Sequence, residues 1–223
     1  MDSVCVFCAS RDGNSPAYVA AARATGAAIA RRGWRLVYGG GHVGMMGALA
    51  DAALAEGGEV VGVMPRSLLN REIAHPGITR IHLVTSMHRR KALMSSLSDG
   101  FLTLPGGYGT LEEFFETLTW AQLNLHTKPC ALLNVEGYWD HLLEMISASI
   151  AAGFVPDAHR RYILSGSDPD VLLDRMAAYV PPLSTAPVPD LPDDGPPVHR
   201  DFAPEPIERD GRAPRQTRPA VAN

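Results

Sequence analysis

The segment FLTLPGGYGTLEEFF, residues 101–115, joins a short apolar run to a run with helical character through three glycines in four positions. An apolar run that ends in glycines and continues as a helix is typical of a strand-turn-helix unit. Glycines after a strand leave backbone N–H groups bare, and the helix adds about half a positive charge at its N-terminus. The turn is therefore either a simple strand-to-helix connection with a capped helix or a binding site for a phosphate group. It lacks the G-K-[ST] of a nucleoside triphosphate loop, so a monophosphate or sugar phosphate fits better.

The same alternation continues along the chain in both directions. The predicted strands are SVCVFCAS, WRLVYGG, EVVGVMP, RIHLVT, FLTLPGG, PCALLNV and RYILSGS. Helical runs lie between them; the first has Ser15 as its cap, the one after FLTLPGG covers residues 110–125, and a last one follows RYILSGS. This predicts an α/β fold: one Rossmann-like domain, residues 1–180, whose doubly wound parallel sheet has helices on both faces. Ligands of such sheets bind at the carboxyl ends of the strands, where the glycine-rich runs fall.

Composition narrows the class of protein. The net charge of −4 over 223 residues gives no indication of a basic surface for nucleic acid. The N-terminus lacks the features of a signal peptide and no apolar stretch reaches the roughly 20 residues of a membrane span, so we expect a cytoplasmic protein that does not bind membranes. Eleven of the 18 prolines fall in residues 181–223, which we predict to be a disordered tail; a proline-rich partner motif is the alternative.

Cys5 and Cys8 form a C-x-x-C pair. Such a pair is found in redox sites and as half of a zinc site, but no second Cys or His pair lies at metal-ligand spacing. Residues three apart on a strand point to opposite faces, so a buried strand explains the pair better. The sequence therefore predicts no metal site.

The run YGGGHVGMMG contains a second glycine loop. Gly39, Gly41 and Gly44 satisfy G-x-G-x-x-G between a strand and a helix, as in dinucleotide-binding folds. The loop follows the second predicted strand, and the acidic residue expected about 20 positions later is missing. Close approach to a ligand and tight strand-to-helix packing both remain open for these glycines.

A basic segment, SMHRRKALM, lies between the two glycine loops. Arg89, Arg90 and Lys91 open a predicted helix, where cations are unfavourable because the helix N-terminus is itself positive. An anionic ligand would offset that cost; a solvated basic turn is the alternative. The neighbouring glycine loops favour the ligand.

These segments resemble the LOG family of cytokinin riboside 5'-monophosphate phosphoribohydrolases, whose members have often been labelled lysine decarboxylases. The family pattern P-G-G-x-G-T-x-x-E matches at Pro105, Gly106, Gly107, Gly109, Thr110 and Glu113. The pattern M-H-x-R-K matches at Met87, His88, Arg90 and Lys91, and G-G-G-x-x-G-L-M-G matches with Met45 in place of leucine. The resemblance extends over residues 3–180; Ala9 departs from it, because the family usually has glycine there.

The resemblance implies hydrolysis of the N-glycosidic bond of N6-modified adenosine 5'-monophosphates, with Arg90 and Glu113 as the catalytic pair and without a cofactor or metal. It implies a homodimer with the active site near the interface. With the first glycine loop included, the expected substrate-binding residues are Gly40, Gly41, Glu72, Arg90, Lys91, Gly106, Gly107, Tyr108, Gly109, Thr110, Leu111, Glu112, Glu113 and Thr119. The alternatives are a general AMP nucleosidase and a non-catalytic nucleotide-binding or carrier protein on the same fold.

Two further interpretations bear on these residues. Thr110-Leu111-Glu112-Glu113 fits the capping box S/T-x-x-E, in which Glu113 would bond back to the backbone N–H of Thr110. A common decarboxylase needs a lysine for pyridoxal phosphate, yet Lys91 and Lys128 are the only lysines of the chain. Lys91 belongs to the basic motif and Lys128 precedes a proline, so the decarboxylase label gains no support.

Overall fold

A single parallel sheet organises the computed structural model of the chain, which describes residues 1–68 and 74–182. Its seven strands are β1 (Ser3–Phe7), β2 (Arg35–Tyr38), β3 (Val60–Pro65), β4 (Arg80–Val84), β5 (Phe101–Thr103), β6 (Cys130–Leu133) and β7 (Ile163–Gly166). They are arranged in the order β4-β3-β2-β1-β5-β6-β7, and each neighbouring pair is parallel. The predicted strands and the predicted α/β fold are confirmed.

Helices cover both faces of the sheet, as predicted. They are α1 (Pro16–Arg31), α2 (Gly44–Ala55), α3 (Met87–Ser96), α4 (Tyr108–Gln122), α5 (Asp140–Ala151) and α6 (Pro169–Ala177). Short 3-10 turns occur at Arg66–Leu68, Val135–Gly137 and Asp157–Tyr162. Buried side chains of α1, α2 and α6 share one core layer, whereas those of α3 and α4 lie in the layer on the opposite face.

The helix starts follow their local sequence. Ser15 caps α1 by accepting a hydrogen bond from the backbone N–H of Ala17, and Asp168 caps α6 through the N–H of Val171. Helices α1 and α2 can approach closely because Gly26 has no side chain. A Cβ at this position would overlap the carbonyl of Leu49. The loop after β1 also lies against the start of α2, where a Cβ on Gly44 would overlap the backbone of Ser10.

Helix α4 differs from its prediction at both ends. Its N-cap is Gly107, and Thr110 lies inside the first turn, so the capping box is wrong. The reason is that extended backbone at Gly107 lets the helix begin two residues earlier, with the buried Thr110 side chain against Gly106. At the other end the helix stops at Gln122 because Asn124 adopts a left-handed conformation, with φ of 61°.

The chain reverses its direction of winding between β1 and β5, which are neighbours in the middle of the sheet. The loops that leave these two strands at their carboxyl ends turn to opposite faces and leave a crevice between them. Both the glycine turn after β5 and the Cys8–Asn14 segment after β1 border this crevice.

The two cysteines of the C-x-x-C pair are both buried and free, and they pack in core layers on opposite faces of the sheet. This confirms the strand interpretation of the pair. Over the described ranges, no helix combines the length and apolar character that crossing a membrane requires. Glu72 and residues 183–223 of the predicted tail lie outside the described residues.

Candidate active site

A cleft of about 770 Å³ opens at the crevice between β1 and β5. Most of its lining comes from the loop after β1 and from the glycine turn and first helical turn after β5. Single side chains come from α1, α2, α3, the turn after β3 and the segment before α5. All of these segments leave the sheet at the carboxyl ends of strands. The site therefore lies where the topology of a doubly wound sheet requires it.

The N-terminus of α4 forms one side of the cleft. A Cβ added to Gly107 or Gly109 would meet no atom within 4 Å, and both residues line the cleft. The first N–H groups of a helix have no partner within the helix, and the helix dipole makes this end positive. Bare backbone, open space and positive potential together suit a phosphate group. Gly106 differs, because a Cβ there would overlap the side chain of Thr110.

Tyr138 fixes the glycine turn after β5 by a hydrogen bond. Its hydroxyl donates a hydrogen bond to the carbonyl oxygen of Gly106 at 2.6 Å. Its ring meets the ring of Tyr18 edge-to-face, with 5.7 Å between centroids, and both tyrosines line the cleft. The loop after β5 is thus tied to the segment before α5 and to α1.

Arg90 reaches the cleft from α3 with its side chain almost fully buried. Its Nε donates to the carbonyl of Val63 at 3.0 Å, and its Nη2 donates to the carbonyl of Gly39 at 3.3 Å. Two strand ends therefore fix the plane of the guanidinium. The remaining nitrogen, Nη1, lies 3.9 Å from Oε1 of Glu113.

Glu113 brings a carboxylate to the cleft wall. It lies on α4 four residues after Gly109, which corresponds to roughly 6 Å along the helix axis. Only 11% of its side chain is exposed, and its Oε1 faces the positively charged guanidinium of Arg90. The cleft thus combines a positive helix N-terminus with a carboxylate one turn away.

The thiol of Cys8 also faces the cleft, but it is not a nucleophile. Burial, together with the negative charge of Glu113, raises the pKa of the Cys8 thiol well above its ordinary value. The sulfur therefore stays protonated at neutral pH and acts as an apolar surface.

The positive start of α3 is balanced by protein carboxylates. Lys91 is buried, and its Nζ donates to Oε1 of Glu112 and, at 2.9 Å, to Oε1 of Glu116. Arg90 faces Glu113 in the same way one residue earlier. Neither cation therefore needs a ligand to offset its position at the helix N-terminus.

Apolar side chains also line the cleft. They are Leu68, Met45, Met46 and Met87. Methionine side chains adapt to irregular apolar groups because they are unbranched and polarisable. The lining of the cleft therefore combines polar groups suited to phosphate with apolar groups suited to an uncharged part of a ligand.

Comparison with known proteins decides the family. A family model described as "Possible lysine decarboxylase" matches residues 46–176. A cytokinin riboside 5'-monophosphate phosphoribohydrolase of Rhodococcoides fascians is 51% identical over 167 residues, covering 74% of this chain and 84% of that protein. The enzyme of the same name from Arabidopsis thaliana, LOG1, is 44% identical over 178 residues, covering 80% of this chain and 84% of that protein. The chain belongs to the LOG family.

Solved structures support the fold of this LOG family member at lower identity. A molybdenum cofactor binding protein of Rippkaea orientalis superimposes with a TM-score of 0.60 at 21% identity, covering 79% of this chain and 96% of its own. A molybdenum cofactor carrier protein of Chlamydomonas reinhardtii gives 0.61 at 18% identity, covering 80% and 99%. At these identities the likeness concerns the fold alone.

The structure brings most of the LOG motif residues together. The predicted site residues that line the cleft are Arg90, Gly106, Gly107, Tyr108, Gly109, Thr110, Glu112 and Glu113. Those that do not line it are Gly40, Gly41, Lys91, Leu111 and Thr119. Thr119 is exposed and borders a separate apolar hollow of about 150 Å³ with Phe115 and Met145. Gly40 and Gly41 were expected from the first glycine loop, whereas the resemblance alone supports Lys91, Leu111 and Thr119 as substrate contacts.

Sequence reasoning missed one side of the cleft. Ser10, Asn14 and Tyr18 line it from the loop after β1 and from α1, and Tyr138 lines it from the segment before α5. The loop after β1 could have been identified from the rule that ligands bind where the winding of the sheet reverses, since this loop faces the one after β5. Tyr138 carries no comparable signal, because only the fold brings it to Gly106.

The first LOG glycine loop is explained by packing. A Cβ on Gly39 would overlap the guanidinium of Arg90, one on Gly44 would overlap the backbone of Ser10, and one on Gly47 would overlap the carbonyl of His42. Tight packing therefore accounts for Gly39 and Gly44 of the G-x-G-x-x-G pattern and for Gly47, which follows it. The loop serves the site indirectly, by making room for Arg90.

Proposed function

We propose that this LOG family chain hydrolyses the N-glycosidic bond of N6-modified adenosine 5'-monophosphates and releases the free base and ribose 5-phosphate. The observation that carries the proposal is the buried pair of Arg90 and Glu113 beside the open glycine end of α4. Relatives at 44% and 51% identity bear the name of this activity. The decarboxylase description has no counterpart in the chemistry of the site, because Lys91 is paired with carboxylates and Lys128 donates to the carbonyl of Ser95.

The proposed substrate places its charges where the cleft has complementary groups. The 5'-phosphate accepts hydrogen bonds from the N–H groups around Gly107 and Gly109, where an added Cβ would find open space. The ribose then extends along the first turn of α4, and its C1' carbon comes to the carboxylate of Glu113. One helical turn separates the two ends, which is about the span from a 5'-phosphate to C1'.

Glu113 provides the catalytic charge in this proposal. Cleavage of the C1'–N9 bond leaves the electron pair on the base and develops positive charge on the ribose, as in glycoside hydrolysis. The carboxylate stabilises that positive charge, water supplies the hydroxyl to C1', and the proton from water goes to the departing base. Arg90 places a positive charge beside Glu113, and two carbonyl groups hold its guanidinium in that position. Catalysis here is mainly electrostatic stabilisation by groups fixed before the reaction.

The apolar side chains of the cleft support a preference for a modified base. Leu68, Met45, Met46 and Met87 line the cleft and offer contact to a hydrocarbon substituent on N6. Contact with apolar side chains contributes roughly 0.8 kcal/mol for each buried methylene. We therefore expect isopentenyl-AMP to be hydrolysed with a higher kcat/KM than AMP.

A chromatographic assay of base release tests the function. The substrates are AMP, isopentenyl-AMP and the two corresponding nucleosides. We expect release from both nucleotides, with isopentenyl-AMP preferred, and almost none from the nucleosides, because they lack the group that the helix end binds. Equal turnover of nucleotide and nucleoside would contradict the phosphate cradle.

The same assay separates the two alternatives. Equal kcat/KM for AMP and isopentenyl-AMP would indicate a general AMP nucleosidase. Tight binding of AMP, measured by calorimetry, without base release over hours would indicate a carrier protein. Either result would overturn the proposed substrate class or the proposed activity.

A homodimer belongs to the same proposal. Helix α5 has no buried residue, and its Met145 lies beside the exposed Phe115 of α4 and beside Thr119, one of the expected substrate-binding residues. An exposed apolar face of this kind marks an interaction surface. Light scattering coupled to size exclusion tests the assembly: we expect a dimer for the wild type and a monomer after Phe115→Asp with Met145→Asp. A monomeric wild type would contradict this part of the proposal. The cytoplasmic location of the protein stays a prediction from the sequence.

A further inference from the structure

Arg11, in the loop after β1, brings a positive charge to the cleft. The residue is exposed and lines the cleft. Its guanidinium forms no ion pair and no hydrogen bond with residues 1–68 and 74–182. Arg90 also lines the cleft, but it donates to two carbonyl oxygens and faces Glu113. Arg11 is therefore available to bind an anionic group.

The loop after β1 is tied to the glycine turn on both sides of Arg11. On one side, the backbone N–H of Ala9 donates to the carbonyl of Pro105 at 3.3 Å. On the other side, a Cβ on Gly13 would overlap the ring of Tyr18, and that ring contacts the tyrosine whose hydroxyl is bonded to the turn. Arg11 lies between these two links, and both it and the turn line the cleft. A long side chain at this point can therefore reach a ligand held by the turn.

The charges of the cleft favour a further cation beside a bound phosphate. A phosphate monoester carries roughly 1.5 to 2 negative charges at neutral pH. The lining already contains the carboxylates of Glu112 and Glu113, which repel such a group. The N-terminus of α4 contributes only about half a positive charge, and the charge of Arg90 is offset by Glu113. Arg11 supplies the positive charge that these groups leave wanting.

We propose that Arg11 binds the 5'-phosphate of the substrate and completes, from the loop after β1, the phosphate site at the N-terminus of α4. The proposal rests on the proposed function, because it adds a contact to the phosphate of that substrate. A guanidinium binds phosphate oxygens through charge-assisted hydrogen bonds, often two in parallel. The phosphate does not react, so this contact stabilises the ground state and the transition state equally. Its loss should therefore raise KM and leave kcat unchanged.

Arg11→Gln tests the contact. Glutamine removes the charge at an exposed position, so the melting temperature should stay at its wild-type value. We expect the Kd for ribose 5-phosphate, measured by calorimetry, to rise about tenfold or more, as for the loss of a hydrogen bond between charged groups. The KM for isopentenyl-AMP should rise as well, with kcat within about twofold of the wild type. An unchanged Kd, or a loss confined to kcat, would overturn the proposal.

Two variants control for charge. Arg23 of α1 is also exposed, but it borders a neighbouring groove of about 690 Å³ and does not line the cleft. Arg23→Gln should keep the Kd for ribose 5-phosphate within about twofold, since salt screens an exposed charge outside the cleft. Arg11→Lys should bind at least about threefold more tightly than Arg11→Gln, because an ammonium carries the same charge. Equal losses in Arg11→Gln and Arg23→Gln, or no recovery in Arg11→Lys, would contradict a direct phosphate contact.

Failure of the proposed function would look different. A wild type that binds ribose 5-phosphate but releases no base would refute the proposed hydrolysis, and calorimetry of Arg11→Gln would still decide the role of Arg11. A wild type that releases base, with wild-type Kd and KM in Arg11→Gln, would refute the Arg11 contact alone. Absence of ribose 5-phosphate binding by the wild type would refute the phosphate site itself, and the Arg11 contact with it.

Discussion

Gly39 and Arg90 occupy adjoining space so closely that a Cβ on Gly39 would overlap Nη2 of Arg90, which instead donates to the Gly39 carbonyl at 3.3 Å. The glycine at the end of β2 thus makes room for the guanidinium at the centre of the site. The same glycine is the first of the G-x-G-x-x-G pattern. Its role here is to admit a protein cation, whereas in a dinucleotide fold such glycines admit a pyrophosphate.

The first prediction concerns Gly39→Ala. The added methyl group displaces the end of the Arg90 side chain and breaks its hydrogen bond to the Gly39 carbonyl. It meets only side-chain atoms, so the strands of the sheet should keep their positions. We expect a folded protein whose kcat for isopentenyl-AMP falls roughly tenfold to a hundredfold, because a shift of about 1 Å at a catalytic group has this effect. Gly77→Ala is the matched control, since a Cβ there meets only ordinary van der Waals contacts. Wild-type turnover of Gly39→Ala would show that the position of Arg90 is not critical.

The second prediction concerns Glu113→Gln. The amide keeps the size and the hydrogen-bonding shape of the side chain but cannot stabilise a ribosyl cation. We expect normal folding, AMP affinity within a few-fold, and a loss of at least roughly a hundredfold in turnover, comparable to removing one electrostatic stabiliser. Glu112→Gln on the same helix should cause a much smaller loss, because Lys91 keeps Glu116. Near wild-type turnover for Glu113→Gln would refute the catalytic assignment.

The third prediction concerns Tyr138→Phe, which removes the hydroxyl bonded to the Gly106 carbonyl and leaves the ring contact with Tyr18. The free energy of unfolding should fall by about 0.5–1.5 kcal/mol, as for one lost hydrogen bond. The glycine turn, which holds the 5'-phosphate in the proposed function, is then fixed less firmly. We expect KM for isopentenyl-AMP to rise several-fold with a smaller change in kcat, as steady-state kinetics will measure. A change confined to kcat would indicate that Tyr138 acts on the chemical step.

The fourth prediction concerns the dependence of stability on pH. Burial lowers the pKa of His126 to about 4, although the hydrogen bond between its Nε2 and the Thr117 carbonyl opposes this shift and Lys128 adds to it. Its Nδ1 accepts from the backbone N–H of Lys128, so the folded protein holds the neutral ring. From its unfolded pKa near 6.5 down to about pH 4, the unfolded chain binds a proton that the folded chain does not, and acid therefore destabilises the fold.

Chemical denaturation of wild type and His126→Gln at pH 7 and at pH 5 measures this contribution. We expect the wild type to lose on the order of 1–2 kcal/mol more than the variant over this interval, after allowance for partial exposure of the ring. Equal losses in the two proteins would show that His126 does not carry the acid sensitivity.

The fifth prediction concerns the proline-rich tail. Removal of residues 185–223 should leave the melting temperature and turnover nearly unchanged, because the segment has too little apolar content to pack. Calorimetry of the truncated and full-length chains tests this. A decrease of several degrees would show that the tail docks on the domain or on its dimer partner.

The order of strands and helices was predictable because each element carries its own local signal. Ser15 before Pro16 predicted the start of α1, and the spacing of Cys5 and Cys8 predicted opposite faces of one strand. The start of α4 was not predictable in this way. Thr110 and Glu113 fit a capping box, but the backbone of Gly107 and the packing of Thr110 against Gly106 placed the helix start earlier.

The sequence by itself determined the fold class, the glycine turn after β5 and the pair of Arg90 and Glu113, because short motifs specify local backbone and carry the family resemblance. Only the tertiary structure decided which groups each charged side chain meets. It directs Arg90 to the carbonyls of Val63 and Gly39 and its neighbour Lys91 to α4. The physical reason is that successive residues of a helix point about 100° apart, so adjacent cations reach different neighbours, and long-range packing alone determines which neighbours those are.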